Sequence, residues 1–152
     1  MSEKVYISWE QFFEDSKRLS QKIKDMNLDI KGIVCITRGG LAPTAIVSSE
    51  LNIRKIETFG IKTYSDSVKQ ESSYEILTTP TEALKDKGEG WIIVDELVDT
   101  GNTAEYILQQ LPLAKFFVLY SKIPNHKSIT KYIKDFDSSI WLCLPWELEI
   151  EI

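Results

Sequence analysis

Trp91-Ile92-Ile93-Val94-Asp95-Glu96-Leu97-Val98-Asp99-Thr100-Gly101-Asn102-Thr103 runs from an apolar stretch into two adjacent carboxylates, then a third, then a Thr-Gly-x-Thr turn. Trp91 to Val94 reads as an apolar strand. Asn102 to Leu111 reads as the helix that follows it. The order puts acidic side chains and a cradle of backbone N–H groups at one strand end. Carboxylates repel phosphate. The two belong together if the acids face sugar hydroxyls or a metal while the amides face phosphate. A phosphorylated sugar satisfies both.

Outward from this stretch, strands and helices alternate. Ser8, with Gln11 at the capping-box position, opens a helix to about Met26. Its stripe is Trp9, Phe12, Phe13, Leu19, Ile23 and Met26, with Ser16 as the polar break. Gly32 to Ile36 reads as a buried strand, Thr37 to Gly40 as a turn, and Ala42 to Leu51 as a helix with Pro43 in its first turn. Ile53 to Tyr64 reads as a strand, Ser65 to Ser73 as a polar mobile loop, and Glu75 to Thr79 as a return strand. Lys85 to Gly90 is a turn, Lys115 to Ser121 a strand, and Pro124-Asn125-His126 a turn. Short strand-like pieces follow at Ile129–Ile133 and Ser139–Leu144, then Pro145-Trp146-Glu147. The pattern predicts one α/β domain over 1–152, a mostly parallel twisted sheet flanked by helices. Ligands of such sheets lie at the carboxyl ends of the strands, where residues 37–40 and 99–103 both fall.

A net charge of −5 argues against a nucleic-acid binder, which carries a basic footprint. No apolar run reaches the ~20 residues of a membrane span, and the N-terminus has no apolar signal region, so a cytoplasmic protein is expected. Cys35 and Cys143 lie in apolar runs without metal spacing and read as buried free thiols.

Each candidate site has a plain alternative. Gly101 allows close backbone approach, and Thr100 and Thr103 add hydroxyl donors; a capped helix start looks the same. Asp95 and Glu96 should leave the strand on opposite sides. One suits vicinal hydroxyls and the other a hydrated Mg²⁺, a metal that favours oxygen and partners phosphates; alone, the pair reads as a solvated strand edge. Asp99 is either a general base or acid toward a heterocycle, or a carboxylate favoured by the helix dipole. Arg38 with Gly39 and Gly40 forms an anion nest suited to a diphosphate, or an ordinary turn. Lys122, at a strand end, can donate to a base carbonyl. Trp141 and Trp146 can stack on a flat ring, although core packing is the default for an indole. His126 reads as exposed and not a catalyst. GxGxxG and GxxxxGK[ST] are absent, and one turn histidine makes no Ser/His/Asp set.

Val94-Asp95-Glu96-Leu97-Val98-Asp99-Thr100-Gly101-Asn102-Thr103 resembles the 5-phosphoribosyl-diphosphate (PRPP) signature of type I phosphoribosyltransferases, and Thr37-Arg38-Gly39-Gly40-Leu41 resembles their diphosphate loop. The Ser8-Trp9 helix, Tyr120-Ser121-Lys122 and the tail from Trp141 to Trp146-Glu147 look most like the bacterial xanthine-guanine branch. The resemblance implies that fold with a small C-terminal hood. It implies transfer of a phosphoribosyl group from PRPP to guanine or xanthine. It implies that Asp95 and Glu96 serve the ribose hydroxyls and Mg²⁺, that Asp99 to Thr103 bind the 5-phosphate, that Arg38 and Gly39 bind the diphosphate, and that the loop's Lys69 contributes to PRPP binding. Asp99 would also face the purine imidazole, Lys122 the 6-oxo group, Trp141 the ring face, and the Leu142 backbone the 2-substituent. In this family the diphosphate loop can carry a cis peptide. The implied assembly is a homo-oligomer, dimer or tetramer, with peripheral inner-membrane association as an option.

The sequence departs from the pattern at Glu96, where relatives often carry Asp, at Asn102 in place of a frequent Gly, and at Lys69 in place of Arg. Three other readings stay open: a hypoxanthine-preferring enzyme, a non-catalytic PRPP-binding regulator, and a phosphosugar-binding module without catalysis.

Overall fold

The computed structural model describes residues 3–66 and 71–147. In chain order the elements are β1 (Lys4–Tyr6), α1 (Trp9–Asp25), β2 (Gly32–Thr37), α2 (Leu41–Leu51), β3 (Ile56–Asp66), β4 (Glu71–Thr78), α3 (Thr81–Lys85), β5 (Trp91–Val98), α4 (Asn102–Gln110), β6 (Lys115–Ser121), β7 (Lys134–Asp135) and β8 (Trp141–Cys143). The main sheet has the order β4-β3-β2-β5-β6-β7; β1 and β8 form a separate pair. Every pairing in the main sheet is parallel except β3 with β4.

The apolar runs of β2, β5 and β6 are buried on both faces, as a parallel sheet between helices requires. Ile92 and Val94 of β5 and Phe117 and Leu119 of β6 face α1 and α2, where Phe12, Leu19, Ile23 and Val47 cover them. Trp91, Ile93, Phe116 and Val118 face the other way, under Ala83 of α3 and Ala104 and Ile107 of α4. The chain leaves β2 through α2 to β3 on one side, and leaves β5 through α4 to β6 on the other. Winding therefore reverses between the neighbours β2 and β5, the place where open α/β sheets form a crevice.

The Ser8 cap is present: its Oγ accepts from the Gln11 N–H at 3.0 Å. The stripe of α1 differs from expectation. Trp9 and Phe13 are exposed, whereas Asp15 and Ser16 are fully buried. Asp15 tolerates burial because Tyr120 Oη donates to it at 2.6 Å, Gln11 Nε2 at 2.9 Å, and Lys134 Nζ lies 3.7 Å away.

Several boundaries also shift. The third strand starts at Ile56 rather than Ile53, because the Ile53 N–H bonds back to the Ser48 carbonyl and finishes α2. The polar segment expected to be a loop from Ser65 is partly strand: Ser65 pairs with Ser72 and Asp66 with Glu71. Backbone pairing of an antiparallel hairpin needs no apolar alternation. The centre of that segment, including Lys69, lies outside the described residues. α3 and β1 had no reading from sequence. Of Ile129–Ile133 only an isolated bridge between Phe117 and Lys131 forms, and the strand comes at Lys134. Cys35 and Cys143 are free and buried, as expected.

Candidate functional site

The turn after β2 lies directly against β5. A Cβ on Gly40 would strike the carbonyls of Val94 and Ile36, and one on Gly39 would overlap the Glu96 carboxyl. Two glycines are what let this backbone sit beside the acidic strand. The Thr37–Arg38 peptide is cis. Arg38 is exposed.

β5 runs on to Val98, four residues past its expected end at Val94, because Asp95, Leu97 and Val98 continue to pair with β6. Asp95 and Glu96 therefore sit inside the strand. Their side chains do diverge: Glu96 lies over Gly39, while Asp95 lines a cavity of about 140 Å³ with Asp99, Thr100, Gly101 and Thr103. Asp95 Oδ1 accepts from the Glu96 N–H at 2.8 Å. Burial, and then the charge of Glu96, push the Asp95 carboxyl up to about 8. Burial, and then the charge of Glu147, push Glu96 up to about 7. Glu96 Oε2 is buried without a hydrogen-bond partner among the described residues.

Past β5, Gly101 takes φ 87° and starts α4 with no side-chain cap. The Asn102 N–H approaches Thr100 Oγ1 at 3.3 Å, and the Glu105 N–H bonds the Gly101 carbonyl at 2.9 Å. The first helical amides remain directed outward, with the partial positive charge of a helix start. Asp99 is 65% exposed, and Lys122 Nζ, on a side chain only 8% exposed, stands 3.6 Å from its Oδ1.

His126, expected to be exposed, is not. Its ring is 12% exposed and packs on Gly101. A Pro-Asn turn in sequence carries no sign that it will fold back onto another turn.

The two-stranded β1–β8 unit forms the hood. The Trp141 N–H bonds the Glu3 carbonyl and the Cys143 carbonyl accepts from Ile7. Alternation along β8 then directs the Leu142 backbone groups away from β1, while its side chain is buried. Trp141 is 60% exposed. Trp146 packs in the default way, against Phe12 and Trp9, with ring centroids 5.0 Å and 6.1 Å apart. Glu147, given no role from sequence, faces Glu96 closely enough to raise it, which ties the hood to the acidic strand.

Arg38, Gly39, Asp95, Glu96, Asp99 to Thr103 and Lys122 are thus gathered along the ends of three neighbouring strands. Residues 5–144 match the family of the phosphoribosyl transferase domain. A xanthine-guanine phosphoribosyltransferase of Nitratidesulfovibrio vulgaris is 37% identical over 95% of this chain and 85% of its own. The purine phosphoribosyltransferase of Pyrococcus horikoshii superposes with a TM-score of 0.74 at 26% identity, covering 98% of this chain and 97% of that one. The xanthine-guanine-hypoxanthine phosphoribosyltransferase of Helicobacter pylori gives 0.73 at 25% identity, covering 97% and 96%. With this fold, this crevice and these relatives, the chain belongs to the phosphoribosyltransferase family.

Proposed function

We propose that residues 1–152 act as one unit that transfers the 5-phosphoribosyl group of PRPP to guanine or xanthine, releasing diphosphate and forming the nucleoside monophosphate. The observation that supports this reading is the placement of two turns, 38–40 and 99–103, on either side of the Asp95–Glu96 pair at the reversal between β2 and β5. In the first, the Gly40 N–H is taken by the Ile36 carbonyl at 2.7 Å, which leaves the Gly39 amide and Arg38 for an anion. One turn takes the diphosphate and the other the 5-phosphate, with the ribose hydroxyls on the acids between them.

Glu96 Oε2, buried without a hydrogen-bond partner among the described residues, fits a divalent cation, and a carboxylate completed by substrate phosphates and water suits Mg²⁺. When bound, the cation would neutralise charge on the departing diphosphate. Glu96 would hold it, with Asp95, on the other side of the strand, toward the ribose hydroxyls. Arg38 and the Gly39 amide bind the diphosphate, and Lys69 is assigned to PRPP binding. Thr100 to Thr103 fix the 5-phosphate, which sets C1′ in line between the leaving oxygen and the base. Lys122 donates to the purine 6-oxo group, Trp141 stacks on the ring, and the outward Leu142 backbone reads the 2-substituent. Asp99 takes the imidazole proton as the new bond forms. Two buried free thiols suit a reducing cytoplasm. Of the aromatics at the start of α1 that could serve subunit contacts in a homo-oligomer, Trp9 is exposed and suits them, whereas Phe12 is buried in the core.

Steady-state turnover of guanine, xanthine, hypoxanthine and adenine with PRPP, with and without Mg²⁺, tests the reading. Metal-dependent turnover led by guanine or xanthine supports it. Hypoxanthine in the lead would change the specificity alone. Tight PRPP binding without turnover would make the chain a regulator.

A further inference from the structure

The turn 99–103 is backed by a histidine that the reaction does not use. A Cβ on Gly101 would overlap His126 Nε2 and crowd Cδ2 and Cε1, so the edge of the imidazole lies on the glycine. The ring has a fixed sense. The Ser128 N–H donates to Nδ1 at 3.1 Å, which makes Nδ1 the acceptor and leaves the proton on Nε2. That Nε2 stands 3.5 Å from Oε1 of Glu105, in the first turn of α4. Lys127 Nζ approaches the same oxygen at 3.9 Å from an exposed side chain. The imidazole therefore touches both the turn and the carboxylate one helical turn behind it.

That carboxylate is a problem for an anion site. Asp and Glu are favoured at a helix start because they occupy its positive end. A dianionic phosphate seeks the same end. Glu105, left free, would compete for it and repel it.

We infer that His126 is a positioning residue for the 5-phosphate: it wedges Gly101 in its left-handed conformation and holds the Glu105 carboxylate off the helix start. This rests on the reading of residues 99–103 as the 5-phosphate site. Its effect falls on the phosphate end of the ligand, not on the purine.

The test is calorimetric binding of guanosine 5′-monophosphate and of guanosine to the full chain, with parallel KM values for PRPP and guanine. His126→Leu keeps the bulk and removes the donor. It should weaken the monophosphate about tenfold, the scale of one hydrogen bond to a charged group, raise the PRPP KM, and leave guanosine and the guanine KM unchanged. His126→Gln, which restores a donor near the Nε2 position, should recover most of the loss. Wild-type binding of the monophosphate by His126→Leu overturns the inference, and so does an equal loss for both ligands. Thr103→Ala separates the two levels. If it too fails to discriminate monophosphate from nucleoside, the phosphate assignment of the turn falls. If it discriminates and His126→Leu does not, only the role of His126 falls.

Discussion

Lys122 Nζ stands 3.6 Å from Asp99 Oδ1, a nearly buried ammonium beside an open carboxylate, just past the ends of the adjacent strands β6 and β5. The lysine is held by its surroundings and the acid is free to turn toward a ligand. The Lys122 N–H also bonds the Val98 carbonyl at 2.8 Å, so the two residues are placed by one backbone contact.

Asp99→Asn should therefore cost proton transfer without disturbing the fold. The expected result is a fall in kcat of about 10²-fold or more, with an unchanged melting temperature. Turnover at the wild-type level would remove Asp99 from the chemistry.

The raised carboxyls of Asp95 and Glu96 make the metal-free protein sensitive to pH. Their folded values, about 8 and about 7, lie above those of the unfolded chain, near 4. Between these limits the folded state binds more protons than the unfolded one, so stability is greatest at low pH and is lost as pH rises. Thermal melts without metal should show the melting temperature falling from about pH 5 to pH 8. Millimolar Mg²⁺ should flatten that slope, because a cation replaces the protons. A melting temperature that rises over the same window, or one indifferent to Mg²⁺, would contradict this account.

Trp141 is largely open to solvent, so Trp141→Ala should change stability by no more than about 0.5 kcal/mol. If the indole stacks on the purine, base affinity should fall by about 1–3 kcal/mol, the worth of one aromatic–base stack. Guanine KM, or quenching of indole fluorescence by guanosine 5′-monophosphate, reads it out. An unchanged KM would leave Trp141 outside the base site.

Tyr120→Phe tests the buried network. Asp15 would keep Gln11 and lose its strongest donor, so the chain should lose about 1–3 kcal/mol in urea titration. Turnover should stay unchanged, since Tyr120 lies in the core beneath the site.

The central elements were legible in sequence because burial on both faces leaves a strong signal. Gly32–Ile36 and Trp91–Val94 are unbroken apolar runs, as is Phe116–Tyr120 within Lys115–Ser121, and all three form strands. Turn chemistry was equally readable: Arg38-Gly39-Gly40 and Thr100-Gly101-Asn102-Thr103 fall at strand ends as expected. What escaped was structure decided by distant partners. Asp15 looks like a surface acid until Tyr120 reaches it from β6. His126 looks like a loop tip until Gly101 offers it a flat surface without a side chain. β1 is three residues long and becomes a strand through β8, and Glu147 matters because the hood carries it back to Glu96. None of these pairings has a local period to detect.

The β1–β8 pairing carries a temporal consequence. Its register joins Lys4 to Trp141 and Tyr6 to Cys143, across almost the full length of the chain. Closing so long a loop is entropically costly before any contact repays it. During synthesis both anion turns emerge well before Trp141, so the phosphate half of the site can form on a growing chain. The half proposed to bind the base waits for β8 to return to β1.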